Sequence, residues 1–459
     1  MNIILLALPF LIIIFFAVVN LSWQNIVKCV LFVVILDGAL RKWFLPQASN
    51  LIYLIKDFFL IIAYLKFFIF SYKDRPLIKN NYLSYAYIFL FIASIWLLFQ
   101  SFNPDLGSPI IGLFGLSRYL LYIPLMWMLP YLFDSEEDFF NFLRNYLLCL
   151  IPVCVLGIFQ FYSSPSSFLN IAPGGEEASE ALGFGEGKIR ISSVFAFPNI
   201  YTAYLTICFG FLLPLITTQK KQSFFWKVII FLELFLVIIN CFMTGSRGVM
   251  INSVLILLGY LWAKSVDNFS IILKFLKKIA IPSVVVVFLL SRYFAPAIDA
   301  FTTRGASSSE FSDRITYALS IQSIPGKSVI DGYGTGATQS GVQPIKRLLS
   351  LPAGISPPSG EAEIHRITIE VGLIGVIFWY GTRIFLMMAL WFVYRKLQNA
   401  FLKDMALVAF LIHLQFLPSQ VVFHPLAVVY YWFLSGFIFL LPRLEIHNYY
   451  QKTNLYNVL

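Results

Sequence analysis

His365 is one of four histidines in a 459-residue chain, and it stands in Gly360-Glu361-Ala362-Glu363-Ile364-His365-Arg366. A neutral imidazole can take a proton from an attacking hydroxyl group. A neighbouring carboxylate would orient the ring and support its charged form. Glu361 and Glu363 are placed upstream for that task and Glu370 downstream, with Arg366 adjacent. Lone histidines are more often structural than catalytic, so this stretch gains meaning only from its surroundings. Zinc would require paired His or Cys spacing, and neither an HExxH motif nor such a pair occurs.

Arginines form the second constellation. Arg247 lies in Thr244-Gly245-Ser246-Arg247-Gly248, a link between two apolar runs too short to carry anything else. Its guanidinium keeps its proton and offers a fork suited to phosphate or carboxylate oxygens. The flanking glycines let backbone N–H groups approach an anion, and the helix that follows favours negative charge at its start. The structural alternative is an arginine reaching toward lipid headgroups. Arg314, in Ser312-Asp313-Arg314, could lay a second guanidinium over the same place, or simply pair with Asp313 or Glu310. Arg190 precedes Ser192-Ser193-Val194-Phe195-Ala196-Phe197-Pro198-Asn199, whose Pro-Asn pair opens the next apolar run. Arg118 and the pair Arg41-Lys42 are further candidates for outward-facing cations. No nucleophile elbow, P-loop or dinucleotide fingerprint appears.

The elements that must position these groups are membrane helices. The chain is 59% hydrophobic, 18% aromatic with 48 Phe, and only 12% charged, about half the charge of a soluble domain. Apolar runs near the ~20-residue length needed to cross a bilayer recur at 2–20, 25–40, 51–70, 81–100, 117–133, 145–162, 198–217, 224–243, 249–263, 279–294, 367–394, 404–421 and 425–442. The expectation is an all-α, polytopic transmembrane protein with about 12–13 spans, forming one integral domain over 1–459. The alternating short segments of a β-barrel are absent. The first run lacks a basic leader and a small-residue cleavage site, and reads as a span. The five cysteines lie in or beside apolar runs without ligand spacing and read as buried thiols.

The net charge of +10 has a topological cause. Basic residues gather in the links holding Lys73, Arg75 and Lys79, then Lys220, Lys221 and Lys227, then Lys264, Lys274, Lys277 and Lys278, and finally Arg395, Lys396 and Lys403. Even numbers of spans separate these links, which the positive-inside rule assigns to the cytoplasm. Nucleic acid is not needed to explain the charge. Segments 101–116, 163–197, 244–248 and 295–366 then share the opposite face. Two readings remain for the N-terminus, depending on whether 25–40, with Lys28 and Asp37, crosses or only dips in. The 295–366 excursion carries six basic and six acidic residues. It reads as a short helix around Ile315, Leu319 and Ile321, then a tight turn at Asp331-Gly332-Tyr333-Gly334-Thr335-Gly336, then irregular backbone set by Pro352, Pro357 and Pro358. A loop of that length usually serves a function.

In order along the chain, these pieces resemble the O-antigen ligase and polymerase superfamily of bacterial membrane glycosyltransferases, the WaaL-like and Wzy-like proteins. The resemblance spans about residues 190–395. It rests on Arg190 through Asn199, the TGSRG link, Ser312 to Arg314, the DGYGTG turn, and His365 leading into Glu370-Val371-Gly372-Leu373-Ile374-Gly375. It implies a GT-C-type helical fold in the bacterial inner membrane, with the site facing the periplasm and 295–366 as a catalytic loop. The donor it implies is a glycan carried on undecaprenyl diphosphate, with no cofactor and no required metal. Carried over by motif, Arg247 and Arg314 bind the diphosphate and His365 is the catalytic base. Many members have Asn directly after that histidine, where this chain has Arg366.

The expected chemistry is an inverting glycosyl transfer. Arg247 and Arg314 neutralise charge developing on the leaving diphosphate, and His365 receives the acceptor hydroxyl proton. Arg190, Ser246, Tyr333, Glu361, Glu363, Glu370 and Arg366 are the expected substrate-binding residues. A polymerase, joining lipid-linked repeat units into O-antigen or exopolysaccharide, is the leading form, with a flippase and a chain-length regulator of the pathway as partners. A ligase moving a finished glycan to lipid A-core or protein shares the chemistry. A transporter or flippase is a different class. It would place ionisable groups near the midplane, where Lys56, Asp57, Glu233 and His413 are the candidates. A non-catalytic assembly protein would explain the hydrophobicity but not the clustered arginines.

Overall fold

The computed structural model describes residues 18–71, 83–173, 183–185, 188–218, 220–267, 331–360 and 362–456, with five isolated positions between 288 and 298. Arg314 and Glu361, and with them most of the first half of the 295–366 excursion, lie outside the described residues.

Among the described residues the chain is a polytopic helical protein. In order come α1 (Trp23–Ala39), α2 (Ser49–Leu65), α3 (Ser84–Gln100), α4 (Pro109–Leu120), α5 (Pro124–Met128), α6 (Glu136–Leu147) and α7 (Leu150–Tyr162). A two-residue strand, Lys188–Ile189, pairs antiparallel with Gly183–Gly185. Then follow α8 (Pro198–Thr217), α9 (Phe224–Met243), α10 (Arg247–Asp267), α11 (Val342–Leu348), α12 (Glu363–Lys396), α13 (Ala400–Phe416), α14 (Ala427–Ser435) and α15 (Phe437–Tyr456).

Local chemistry explains where these helices begin. Ser22, Ser108, Ser135, Ser223 and Asn399 each accept a hydrogen bond from an otherwise orphaned amide of the first turn. Pro109, Pro124 and Pro198 occupy starting positions where a missing N–H costs nothing. Helix α6 also places Glu136, Glu137 and Asp138 in its first turn, where the helix dipole favours acids.

Every expected apolar run that falls within the described residues is mostly helical, while 2–20 and 279–294 lie mostly outside them. By length and composition, seven of these helical stretches can cross a membrane. They are Trp23–Phe44, Pro109–Tyr131, Glu136–Tyr162, Pro198–Thr217, Phe224–Met243, Arg247–Val266 and Glu363–Lys396. The pair Ala427–Ser435 and Phe437–Gln451, bent by 41°, makes an eighth if it is one span. The expectation of about 12–13 spans counted runs by hydropathy alone. Helices α3 and α13 are each only 17 residues long.

Helix α12 lies along α3 and α13, and α8 packs with α9, α10 and α13. Small residues permit this closeness, as packing in lipid requires. A Cβ on Gly381 would sit 2.3 Å from the Phe89 ring between α12 and α3, and one on Gly210 3.0 Å from the Val408 side chain between α8 and α13.

The connecting segments sort to two ends. At one end Glu136 binds Lys220 (2.8 Å) and Asn399 (2.7 Å), and the amides of Gln398 and Asn399 donate to Glu445. At the other end Arg190 meets Thr244, Trp43 donates to the Phe168 carbonyl, and the Ile355 amide donates to the Asp105 carbonyl. Among the described residues, 163–197 meets 244–248 through Arg190, and 101–116 meets 331–366 through Asn103 and Asp105.

Candidate functional site

The hairpin between α9 and α10 is built by its glycine. Gly245 has φ of 62°, a left-handed backbone that stops α9. Thr244 donates from Oγ1 to the Cys241 carbonyl (2.8 Å) and accepts from the Ser246 amide (3.3 Å). The chain resumes helix at Arg247, which is half-buried at the first position of α10. Arg190 donates from Nε to the Thr244 carbonyl at 3.1 Å. Two arginines far apart in sequence therefore belong to one five-residue turn.

The segment leading from Arg190 to α8 is non-helical backbone between helices, tolerated there only with protein partners. Ser193 has φ of 49°, uncommon for a residue with a side chain. Gln160 holds it in place: Oε1 accepts from the amides of Ser192 (3.3 Å) and Ser193 (2.7 Å), and Nε2 donates to the Ser193 carbonyl. Lys42, 1% exposed, donates to Ser192 Oγ (2.6 Å) and the Ser193 carbonyl (3.1 Å). Gly38 lets the segment lie against α1, since a Cβ there would meet the Ala196 nitrogen at 2.3 Å. Lys42 is thus a buried clamp rather than an outward-facing cation. Arg118 is likewise turned inward, 2.7 Å from Asp57, whose other oxygen accepts from Tyr122.

Helix α12 carries His365 near its start and breaks at Gly372, where φ is 66° and ψ −177°. That region is essentially reserved for glycine. The carbonyls freed by the break are taken up by protein. Ile369 accepts from the Tyr333 amide (2.8 Å), Glu370 from the Gly334 amide (2.9 Å), and Val371 from the Trp96 indole (2.7 Å). The DGYGTG turn docks into the broken helix, and a Cβ on Gly332 would stand 2.1 Å from the Glu370 carbonyl oxygen. Tyr333, expected to meet substrate, is buried here against Ile369.

The acids around His365 have other work. Glu370 accepts from Tyr119 (2.9 Å) and from the Thr338 amide (2.9 Å) and hydroxyl (2.8 Å). Glu363 pairs with Arg383 at 3.0 Å and accepts from the amides of Val421 and Val422. On a helix, positions two or five apart do not share a face, so neither acid lies beside His365 on α12. Arg366 donates to Thr338 and places its guanidinium 3.7 Å from the centre of the Phe423 ring. His365 itself is 3% exposed.

A cavity of about 330 Å³ opens beside the TGSRG hairpin, lined by Ser246 and Gly248 on either side of Arg247. Asn199, Thr202 and Thr206 of α8 and Asn252 of α10 form one wall, and Gln415, Ser419 and His424 another. His424 accepts at Nδ1 from the Ala427 amide (3.0 Å), so its Nε2–H donates to the Asn199 carbonyl (3.3 Å). Burial pushes its pKa down to about 4. With both nitrogens engaged, the neutral ring serves as wall. The 417–426 link that carries it is also held by Glu363 and Arg366, and so joins the start of α12 to the cavity rim. His365 is not among the lining residues.

The structure therefore brings Arg190 to the hairpin of Ser246 and Arg247, whose Ser246 lines the cavity, and ties the helix start bearing Glu363, His365 and Arg366 to the 417–426 link, whose Ser419 and His424 line it too. Sequence reasoning missed Thr206, Asn252, Gln415 and His424. A usable signal was present, because Thr202 and Thr206 repeat at four-residue spacing on α8, and Gln415 and Ser419 at the same spacing across the end of α13. Of the ionisable groups a transporter would use, Asp57 is bound as above, Lys56 donates to the Tyr53 carbonyl (2.7 Å) and His413 is held by the Ala409 carbonyl (2.8 Å) and Ser435 (2.9 Å), whereas Glu233 is buried with its Oε1 taking no hydrogen bond from the described residues. Among the described residues no cluster of three His, Cys, Asp or Glu could hold a metal ion. No protein-family model matches the chain, and no curated protein is significantly similar to it.

Proposed function

We propose that this chain is a membrane glycosyltransferase that polymerises oligosaccharide units carried on undecaprenyl diphosphate, working on the periplasmic side of a bacterial inner membrane. The observation that supports the reading is the meeting of Arg190 with the hairpin of Arg247, whose Ser246 and Gly248 line a polar cavity. Permanent cations at the membrane surface beside a cavity suit a lipid diphosphate, whose charge they offset as the glycosyl bond breaks.

In this mechanism Arg247, with Arg190 beside it and Arg314 from the excursion, clamps the diphosphate. His365 takes the proton of the acceptor hydroxyl as its oxygen attacks the anomeric carbon. The Glu363 and Arg366 contacts hold the histidine-bearing turn against the 417–426 link. Each electron pair has a destination: the new bond forms from the acceptor oxygen, and the old bond leaves with the diphosphate.

The test is genetic and biochemical. Arg247→Ala and His365→Ala are expected to abolish surface polymer while protein level stays unchanged. Normal polymer from both variants overturns the mechanism. Single repeat units on the surface of a deletion strain indicate a polymerase, whereas accumulated lipid-linked polymer indicates a ligase.

A further inference from the structure

The cavity beside Arg247 has an unusual hydrogen-bond polarity. The Thr202 hydroxyl donates to the Asn199 carbonyl (2.8 Å), Thr206 to the Thr202 carbonyl (2.9 Å), and Ser419 to the Gln415 carbonyl (2.8 Å). Each hydroxyl hydrogen is spent on the backbone, so what these oxygens retain for a guest is acceptor capacity. Gln415, 8% exposed, donates from Nε2 to the Asn252 carbonyl. A carbonyl can only accept, which fixes the amide orientation and leaves Oε1 as the acceptor end. That Oε1 is buried and takes no hydrogen bond from any described residue. A buried amide oxygen in that condition costs free energy that a donor from a guest would recover.

Charge narrows the guest further. Among the described residues, no Asp, Glu, Lys or Arg lines the cavity. A cation would find no countercharge there, and the amides of Asn199, Asn252 and Gln420 set donors beside these acceptors, a mixture that suits hydroxyl groups. A compact, neutral group with many O–H donors fits both facts.

We infer that this cavity binds a neutral, hydroxyl-rich sugar residue of the lipid-linked substrate, with Thr202, Thr206, Gln415 and Ser419 accepting from its hydroxyls. Ser246 and Gly248 place that sugar immediately beside Arg247. The inference rests on the lipid-diphosphate reading above and adds where the glycan is recognised: on the membrane side of the arginine turn, between α8, α10 and α13.

The experiment uses the full chain in lipid nanodiscs and native mass spectrometry. The two probes are undecaprenyl diphosphate and the lipid-linked glycan extracted from a strain lacking this gene. The wild-type protein is expected to bind both and to prefer the glycan-bearing lipid. Thr206→Val and Gln415→Leu, checked for an unchanged elution profile, should each weaken binding of the glycan-bearing lipid by roughly three- to tenfold, the worth of one hydrogen bond. Their affinity for undecaprenyl diphosphate should stay unchanged, whereas Arg247→Ala should weaken both. Equal affinity of the wild type for the two lipids, or variants that lose neither, overturns the sugar site and leaves the diphosphate reading standing. A wild-type protein that binds neither lipid overturns both.

Discussion

Glu363 shows how a residue's type can suggest one role and its contacts another. The sequence places it two positions before His365, where a carboxylate could orient an imidazole. In the folded chain its oxygens bind Arg383 and two amides of the 417–426 link, and the pair is almost wholly buried. Removing one partner of such a pair leaves an uncompensated charge and costs about 3–5 kcal/mol. Glu363→Gln is therefore expected to lower the thermal midpoint in detergent strongly, and adding Arg383→Met should recover part of the loss. An unchanged midpoint with lost polymerisation would instead return Glu363 to the chemistry. Gln160 and Lys42 are similar in kind. They lie in or beside apolar runs, yet they hold the left-handed turn at Ser193 that delivers Arg190 to the hairpin.

At the scale of elements, the informative feature is the break in α12. The sequence Glu370-Val371-Gly372 reads as the opening of a span, and hydropathy continues across it. The structure interrupts the helix at Gly372 and fills the gap with the DGYGTG turn, so the excursion is anchored in the membrane helix that follows it. Gly372→Ala places a side chain in a backbone region costing about 1–3 kcal/mol. Gly332→Ala must also separate the turn from the Glu370 carbonyl. Both variants are expected to raise amide hydrogen exchange across 331–338 and 363–371 together, because one docking joins them. Exchange confined to the mutated segment would show that turn and helix are independent.

At the scale of the molecule, the alternation read from basic links puts the Arg190–Thr244 contact and the Glu136–Lys220 pair at opposite ends of the helices. Exposed Ser166 and Ser350 belong with the arginine end, and exposed Gln398 with the end where Glu136 binds Lys220. With the five native cysteines replaced, single cysteines at Ser166 and Ser350 should react with an impermeant maleimide added to intact cells. A cysteine at Gln398 should react only after the membrane is opened. Labelling of all three from outside would break the two-ended arrangement.

The helical class, the positions of the runs and the alternation of basic links were legible in the amino-acid sequence because they depend on composition along a line. A stretch of about 20 apolar residues has few other stable fates. The hairpin was legible too, since a glycine between two such runs dictates a turn. Which polar side chains meet was not, because that depends on how helices distant in sequence approach one another. Gly38 against 194–196, Gly259 against Leu411, and Gly381 against Phe89 set those approaches at the level of single missing methyl groups. Only the tertiary structure could show that Arg190 reaches Thr244, that Glu363 belongs to Arg383, and that Thr206 and Gln415 close one cavity. Hydrogen bonds between distant segments form only after the packing has fixed their distances, and sequence spacing carries no record of those distances.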